Sequence, residues 1–359
     1  MSPEASPSLT IDCDTHFWQP AESWTPRVDD RWRSEVEQFM HEWMASTSAL
    51  SREMQLEKFQ ALAGADDPAE RLRWMDEESV DVNVIFPGAG LVSMMSGAGA
   101  AAAACRALNE WSAEFASKAP ERLLPTMILP MRYPDEAIAE LQHAKKLGLR
   151  VAFCPPTPAR ERCWSDSALD PLWSELEATS TVLAFHEISR LPKDGGEMVA
   201  RSIYKDSYPF MYFCGHLVET QLAIMDMIGG GVLERFPGLR VGLVEANVAW
   251  LPGWLASMDD LWGWLSSRKQ QPKGTLAAPL KASDYFKRQC FIAAFPDDTW
   301  IDECVRHLGA EPIVLCTDFP HPGMNHRMQK TLDESYPDLD PDVRAKLLGG
   351  NAQRILGIS

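Results

Sequence analysis

The sequence predicts an α/β fold, the (β/α)8 or TIM barrel, on three observations. There are eight short β-rich apolar runs, helix-period segments between them, and polar residues gathered at the ends of several runs. The runs are 9–17 (LTIDCDTHF), 80–87 (VDVNVIFP), 123–131 (LLPTMILPM), 149–155 (LRVAFCP), 181–187 (TVLAFHE), 239–246 (LRVGLVEA), 290–296 (CFIAAFP) and 311–319 (EPIVLCTDF). Helical periodicity marks 135–147, 169–179, 217–235 and 298–308. Near-continuous apolar strands alternating with helices indicate a parallel sheet covered on both faces. Eight such units close into a barrel; an open doubly wound sheet is the structural alternative. The Gly/Ala-rich stretch after the second run, GAGLVSMMSGAGAAAA, reads as a turn leading into a helix.

A chain of 359 residues suits one such barrel, so a single domain over 1–359 is expected. Three segments exceed what a minimal barrel needs, at about 18–66, 188–215 and 251–289, after strands 1, 5 and 6. Each follows a strand's C-terminal end, where barrels place active sites, so they are expected to serve as lids or subunit contacts. With 34 basic against 51 acidic residues the net charge is −17, which disfavours nucleic acid and anionic membranes as partners. A small anionic substrate remains compatible, because a buried cation reverses the potential inside a pocket. The opening residues lack a basic segment followed by an apolar one, and no run of eighteen apolar residues occurs, so a cytoplasmic location is expected. Eight cysteines spread singly, without a CxxC pair, predict reduced thiols in place of disulfides or a zinc-thiolate site. No glycine-rich phosphate loop of either common type is present, which removes support for nucleotide cofactors.

The chemistry concentrates at strand ends. In IDCDTH, period-2 alternation puts Asp12, Asp14 and His16 on one face. Three polar groups aimed at a barrel axis are costly without a partner, and a metal ion is a natural one. LAFHE presents His186 after an apolar run, and VLCTDFPH presents Asp318 with His321 one short turn later. Singly, each residue has an ordinary explanation, a hydrogen-bonded core histidine or a helix-capping aspartate. Jointly, strands 1, 5 and 8 converge at one mouth, where Asp14, His16, His186 and Asp318 form a mixed nitrogen and oxygen site for a divalent zinc, manganese or iron ion.

The motifs IDCDTH, LAFHE, GGGVLERFPGLRVGLVEANVAWLPG, CTDFPHP and LLGGNAQRILGI resemble the amidohydrolase superfamily, in the branch related to aminocarboxymuconate-semialdehyde decarboxylase. The resemblance runs from about residue 9 to the end, more weakly in the insertions. It implies that His186 and Asp318 occupy the strand 5 and strand 8 ligand positions and that Asp318 acts as a base toward metal-bound water. Strand 1 of that branch carries His-x-His, where this chain has Asp14-x-His16. The branch also places a catalytic histidine on strand 6, where this chain has Glu245. Glu245 could act as a general acid or base if burial raises its pKa. One divalent cation neutralises only Asp14 and Asp318, so a second cation held by Glu245 with His216 or His321 is an alternative role. The strand 4 run holds no lysine, so the carboxylated-lysine bridge of many two-metal amidohydrolases is absent.

Among the remaining residues, His216 in FCGHLVET is either a pocket residue or a helix cap, and His321 either orients a ligand or is one. Trp18 is placed at the pocket rim, and Arg190 could clamp a substrate carboxylate or form a surface salt bridge. Trp250 and Trp254, at i and i+4, read as core or subunit interface, consistent with a homodimer or hetero-oligomer. The function expected first is a hydrolase or non-oxidative decarboxylase of a small carboxylate or aromatic acid, with catalysis assigned to Asp318, Glu245 and His216. A dinuclear iron or manganese/iron oxygenase and a non-catalytic partner subunit are the alternatives.

Overall fold

The structure is a computed structural model, and it describes residues 9–46, 64–158, 162–187, 207–267, 279–321 and 324–358. Eight parallel strands run in sequence order: β1 Ile11–His16, β2 Val82–Phe86, β3 Leu123–Ile128, β4 Val151–Cys154, β5 Val182–Phe185, β6 Val241–Leu243, β7 Cys290–Ala294 and β8 Ile313–Leu315. All eight predicted runs contain their strand. Every neighbouring pair from β1 to β8 is in parallel register. The sheet curls back on itself where Thr15 pairs in parallel with Phe319, just beyond β8. The barrel prediction therefore holds over the open-sheet alternative.

The strands are short and buried at every position, and apolar except for the polar members of β1, Asn83 and Thr126. That is what a sheet enclosed on both faces requires. Cys13, Val84, Val151, Ala184, Phe291 and Val314 fill the interior toward the N-terminal end, so the barrel is a packed core and not a pore. Gly242 in β6 is necessary there, because a Cβ at that position would collide with the Phe291 ring.

Helices form where the periodicity placed them, at Pro134–Lys146, Asp170–Ala178 and Ile301–Leu308. The 217–235 segment is broken into a π-turn at Cys214–Glu219, a helix at Thr220–Gly229 and a short helix at Val232–Arg235. The glycine at 231 adopts a positive φ of 76°, which permits the last break. The stretch after β2 is a tight turn, Gly90–Met94, followed by the helix Ala98–Ala116. Of the longer segments, 18–66 carries helices Ala21–Trp24 and Asp30–Ser46, and 251–289 carries Leu251–Ser266 and Ala282–Gln289. Most of 188–215 lies outside the described residues; its end holds the helix Tyr208–Phe213. Among the described residues no helix is long and apolar enough to cross a membrane. All eight cysteines are free, and seven are buried.

Candidate metal centre

The seam that closes the barrel is built by the polar strand ends themselves. The Asp318 main-chain N–H donates to the Asp14 carbonyl at 2.9 Å, and the His16 N–H donates to the Phe319 carbonyl at 2.6 Å. These backbone bonds set Asp14, His16 and Asp318 side by side, all nearly inaccessible to solvent. His16 Nε2 lies 3.4 Å from Asp14 Oδ1 and 3.0 Å from Asp318 Oδ1. From the end of β5, His186 Nε2 comes within 3.5 Å of the same Asp14 oxygen.

The four residues fit a divalent ion on two grounds. Asp14 Oδ1 and Oδ2, His16 Nε2, His186 Nε2 and Asp318 Oδ1 are all buried without a hydrogen-bond partner, a costly state for polar atoms. Their spacing is also that of co-ligands, since nitrogen and oxygen atoms about 2.1 Å from one ion stand roughly 3.0 to 3.4 Å apart. Asp14, His16 and His186 form one compact donor group, and His16, Asp318 and His321 a second that shares His16.

Outer contacts hold these rings in place. His186 Nδ1 bonds the Glu187 carbonyl at 2.7 Å, which leaves Nε2 facing the site. Phe86 of β2 stacks on His186 at 4.6 Å, and His321 stacks on His16 at 4.2 Å. Arg71, fully buried on the helix Pro68–Glu77, donates to the carbonyls of Gly64 and His16 and to Asn83 Oδ1. His321 Nδ1 lies 2.9 Å from the Asp318 carboxylate.

Protons and a cation compete for these atoms. Burial raises the Asp14 carboxyl above its ordinary range, opposed by His186 and His16. Burial would lower His186, yet Asp14 and Glu245 bring it up to about 10. His16 is lowered, by burial and by the charge of His321. Asp318 is held below the usual carboxylate range: burial opposes this, but His321 and His16 outweigh it.

On the other side, β6 ends before Glu245, whose φ of 57° matches the 60° of Asp318. Both are in the left-handed region that L residues adopt at a cost of about 1–3 kcal/mol. Glu245 Oε2 lies 3.0 Å from His216 Nε2 and 3.6 Å from His186 Nε2. The sequence suggested that burial would raise the Glu245 pKa; burial does act that way, but His216 lowers it on balance. His216 in turn is pushed up to about 9, where Glu245 and Glu187 outweigh burial.

The structure also redistributes the expected second group. His216 is not a helix cap: it sits in a π-turn inside a continuous helical run, its ring 3.6 Å from that of Tyr212. With Glu245 it is grouped with Glu187, while His321 stands on the Asp318 side. Glu187 was missed because β5 ends at Phe185, so alternation no longer says which way residues 186 and 187 point. Asp12 shares the expected face but accepts from Thr317 N at 3.0 Å and Thr317 Oγ1 at 2.5 Å, so it needs no ion. Trp18 is half-buried just past β1, its main-chain N–H donating to the Ala65 carbonyl. Arg190 lies outside the described residues. Trp250 donates to the Ala246 carbonyl at 2.7 Å and packs edge-to-face on Trp254 against the core.

The chain is similar to several known proteins. Gamma-resorcylate decarboxylase from Polaromonas sp. strain JS666 is 25% identical over 302 residues, covering 80% of this chain and 87% of that protein. The 2-amino-3-carboxymuconate-6-semialdehyde decarboxylase of Dictyostelium discoideum is 23% identical over 293 residues, covering 81% and 77%. Among solved structures, a manganese-bound dihydroxybenzoic acid decarboxylase from Polaromonas sp. JS666 superposes with a TM-score of 0.71 at 21% identity, over 98% of this chain and 97% of that one. The 5-carboxyvanillate decarboxylase of Sphingomonas paucimobilis gives 0.74 at 20% identity, over 98% and 100%. Nothing in these matches supports the oxygenase or the non-catalytic reading. The amidohydrolase family model matches residues 11–358, and the chain belongs to that family.

Proposed function

We propose that the protein is a metal-dependent non-oxidative decarboxylase of a small aromatic acid, with a divalent ion, manganese by analogy with the relatives' structures, held by Asp14, His16, His186 and Asp318. The observation that carries the reading is the convergence of buried, unpartnered donor atoms from β1, β5 and β8 at the C-terminal mouth. The curated relatives act on carboxylated substrates, which supports this branch of chemistry over hydrolysis.

Electrostatics favours the same arrangement. A mouth lined by Asp14, Asp318, Glu187 and Glu245 repels a carboxylate unless a cation reverses the potential. When bound, the ion supplies positive charge to substrate oxygens as a Lewis acid. The chain's own residues then supply orientation, dryness and a proton. Phe86 and Phe153 form an apolar wall beside His186. Loss of carbon dioxide breaks the bond to the carboxylate and leaves an electron pair on the ring carbon, which must take up a proton. The Asp318–His321 pair is the source: burial would lower His321, but Asp318 raises it, so the imidazole holds a proton next to the ligand set.

The test is to incubate manganese-loaded protein without oxygen with 2,6-dihydroxybenzoate, 5-carboxyvanillate and related hydroxybenzoates, and to measure carbon dioxide and the decarboxylated product. Turnover that Asp318→Asn lowers by about 100-fold or more supports the reading. No turnover on the panel, or an Asp318→Asn variant as active as the natural protein, sinks it.

A further inference from the structure

We propose a second divalent-cation site formed by Glu187, His216 and Glu245, beside the first and joined to it through Glu245. It rests on the first ion of the proposed function, although Glu187 and His216 belong to the second site alone. All three residues are buried, and their donor atoms lie within 4.8 Å of one another.

The strongest observation is that His216 is presented in the same way as His186. Each ring is anchored through Nδ1 to a main-chain carbonyl, Glu187 for His186 at 2.7 Å and Tyr212 for His216 at 2.9 Å. That bond fixes the Nδ1–H tautomer, so in the neutral ring the Nε2 lone pair is directed away from it, as metal-ligating histidines require. Each Nε2 then faces two carboxylates: Asp14 and Glu245 for His186, at 3.5 and 3.6 Å, and Glu245 and Glu187 for His216, at 3.0 and 3.9 Å. The two histidines are thus repeats of one arrangement, and Glu245 Oε2 is common to both.

A second observation is the charge of the mouth, where Glu187 and Glu245 are buried beside the first donor set. One divalent ion balances Asp14 and Asp318 and leaves the Glu187 and Glu245 carboxylates together in a low-dielectric mouth. A second divalent ion offsets that pair. Oxygen donors from two glutamates and one imidazole suit manganese or zinc. With both ions in place Glu245 and His216 act as ligands, and proton delivery falls to Asp318 with His321. The competing explanation is a self-contained ion pair in which a protonated His216 donates to Glu245.

Stoichiometry separates the two. Full-length protein stripped by a chelator is titrated with Mn²⁺, with free ion counted by electron paramagnetic resonance and bound ion by elemental analysis. The proposal expects two ions per chain and a spin-coupled spectrum. It expects one ion and an uncoupled spectrum in Glu187→Gln and in His216→Ala, with circular dichroism confirming that each folds. Saturation of the natural chain at one ion, or two ions retained by both variants, overturns it. The decarboxylation panel is run on the same samples: one ion with turnover ends this proposal and leaves the proposed function, whereas two ions without turnover do the reverse.

Discussion

The seam between β8 and β1 and the side formed by β5 and β6 both deliver buried carboxylates and histidines to one mouth, but they hold them by different means. At the seam the ligand residues are themselves sheet members or their immediate continuation. Main-chain bonds from Asp318 to Asp14 and from His16 to Phe319 fix their relative positions, and Arg71 grips the His16 carbonyl from behind. On the other side, His186, Glu187 and Glu245 stand past the last paired residues of their strands, and His216 arrives on a π-turn from a separate helix. Two bonds there continue the sheet, from the Val244 N–H to the Phe185 carbonyl and from the His186 N–H to the Cys154 carbonyl of β4. The seam is therefore a half whose geometry follows from register, whereas on the β5–β6 side only His186 is tied to the ladder and Glu187, Glu245 and His216 are delivered by turns and a helix.

That contrast can be broken or sharpened by experiment. The largest effect is expected from Asp14→Asn, which keeps shape but removes a ligand charge: affinity for the first manganese ion should fall by more than about 100-fold, while Glu245→Gln lowers it by about 10-fold. Equal losses in calorimetric titrations would erase the difference between the halves. Next, Arg71→Met strips partners from the carbonyls of Gly64 and His16 and from Asn83. Unfolding by urea should show a loss of about 3 kcal/mol, with weaker metal binding to the folded protein. An unchanged midpoint would mean that Arg71 does not support the seam.

A third effect concerns protons. Because Asp14 and Glu245, against burial, raise His186 to about 10, the ring is protonated at neutral pH before metal binds. Binding must then release that proton, so apparent affinity should rise about tenfold per pH unit as pH increases toward that value. Flat affinity between pH 6 and 8, taken as a roughly two-unit window around neutrality, would contradict the assignment. The smallest effect is expected at Asp12, which burial raises to about 7 despite the bonds from Thr317. A carboxyl raised in the folded state contributes stability that is full below its unfolded value, near 3.8, and is lost as pH rises through about 7. Asp12→Asn should flatten that part of the stability profile; an unaltered slope in thermal melts across this range would remove Asp12 from the account.

The strand runs and the first ligand set were legible because they depend on short-range rules. Apolar runs, period-2 alternation in IDCDTH and the polar ends of LAFHE and CTDFPH are all readable within a few residues. Glu187 was not legible, since alternation lapses once β5 ends. Arg71 was not either: a charged residue in an amphipathic helix looks solvent-facing until the helix is docked behind β1. His216 carried a signal in FCGHLVET, but its choice between cap and pocket depended on a π-turn that no local pattern announces.

The sequence by itself determined that eight βα units would place Asp14, His16, His186 and Asp318 at one end of a barrel, because strand polarity and side-chain alternation are properties of the chain. Only the tertiary structure decided how those groups and their neighbours pair. Asp12 is spent on Thr317, His321 belongs to Asp318, and Glu187 joins His216 and Glu245. Those choices turn on distances of 3 to 4 Å between residues as much as 305 positions apart, which are set when the barrel closes.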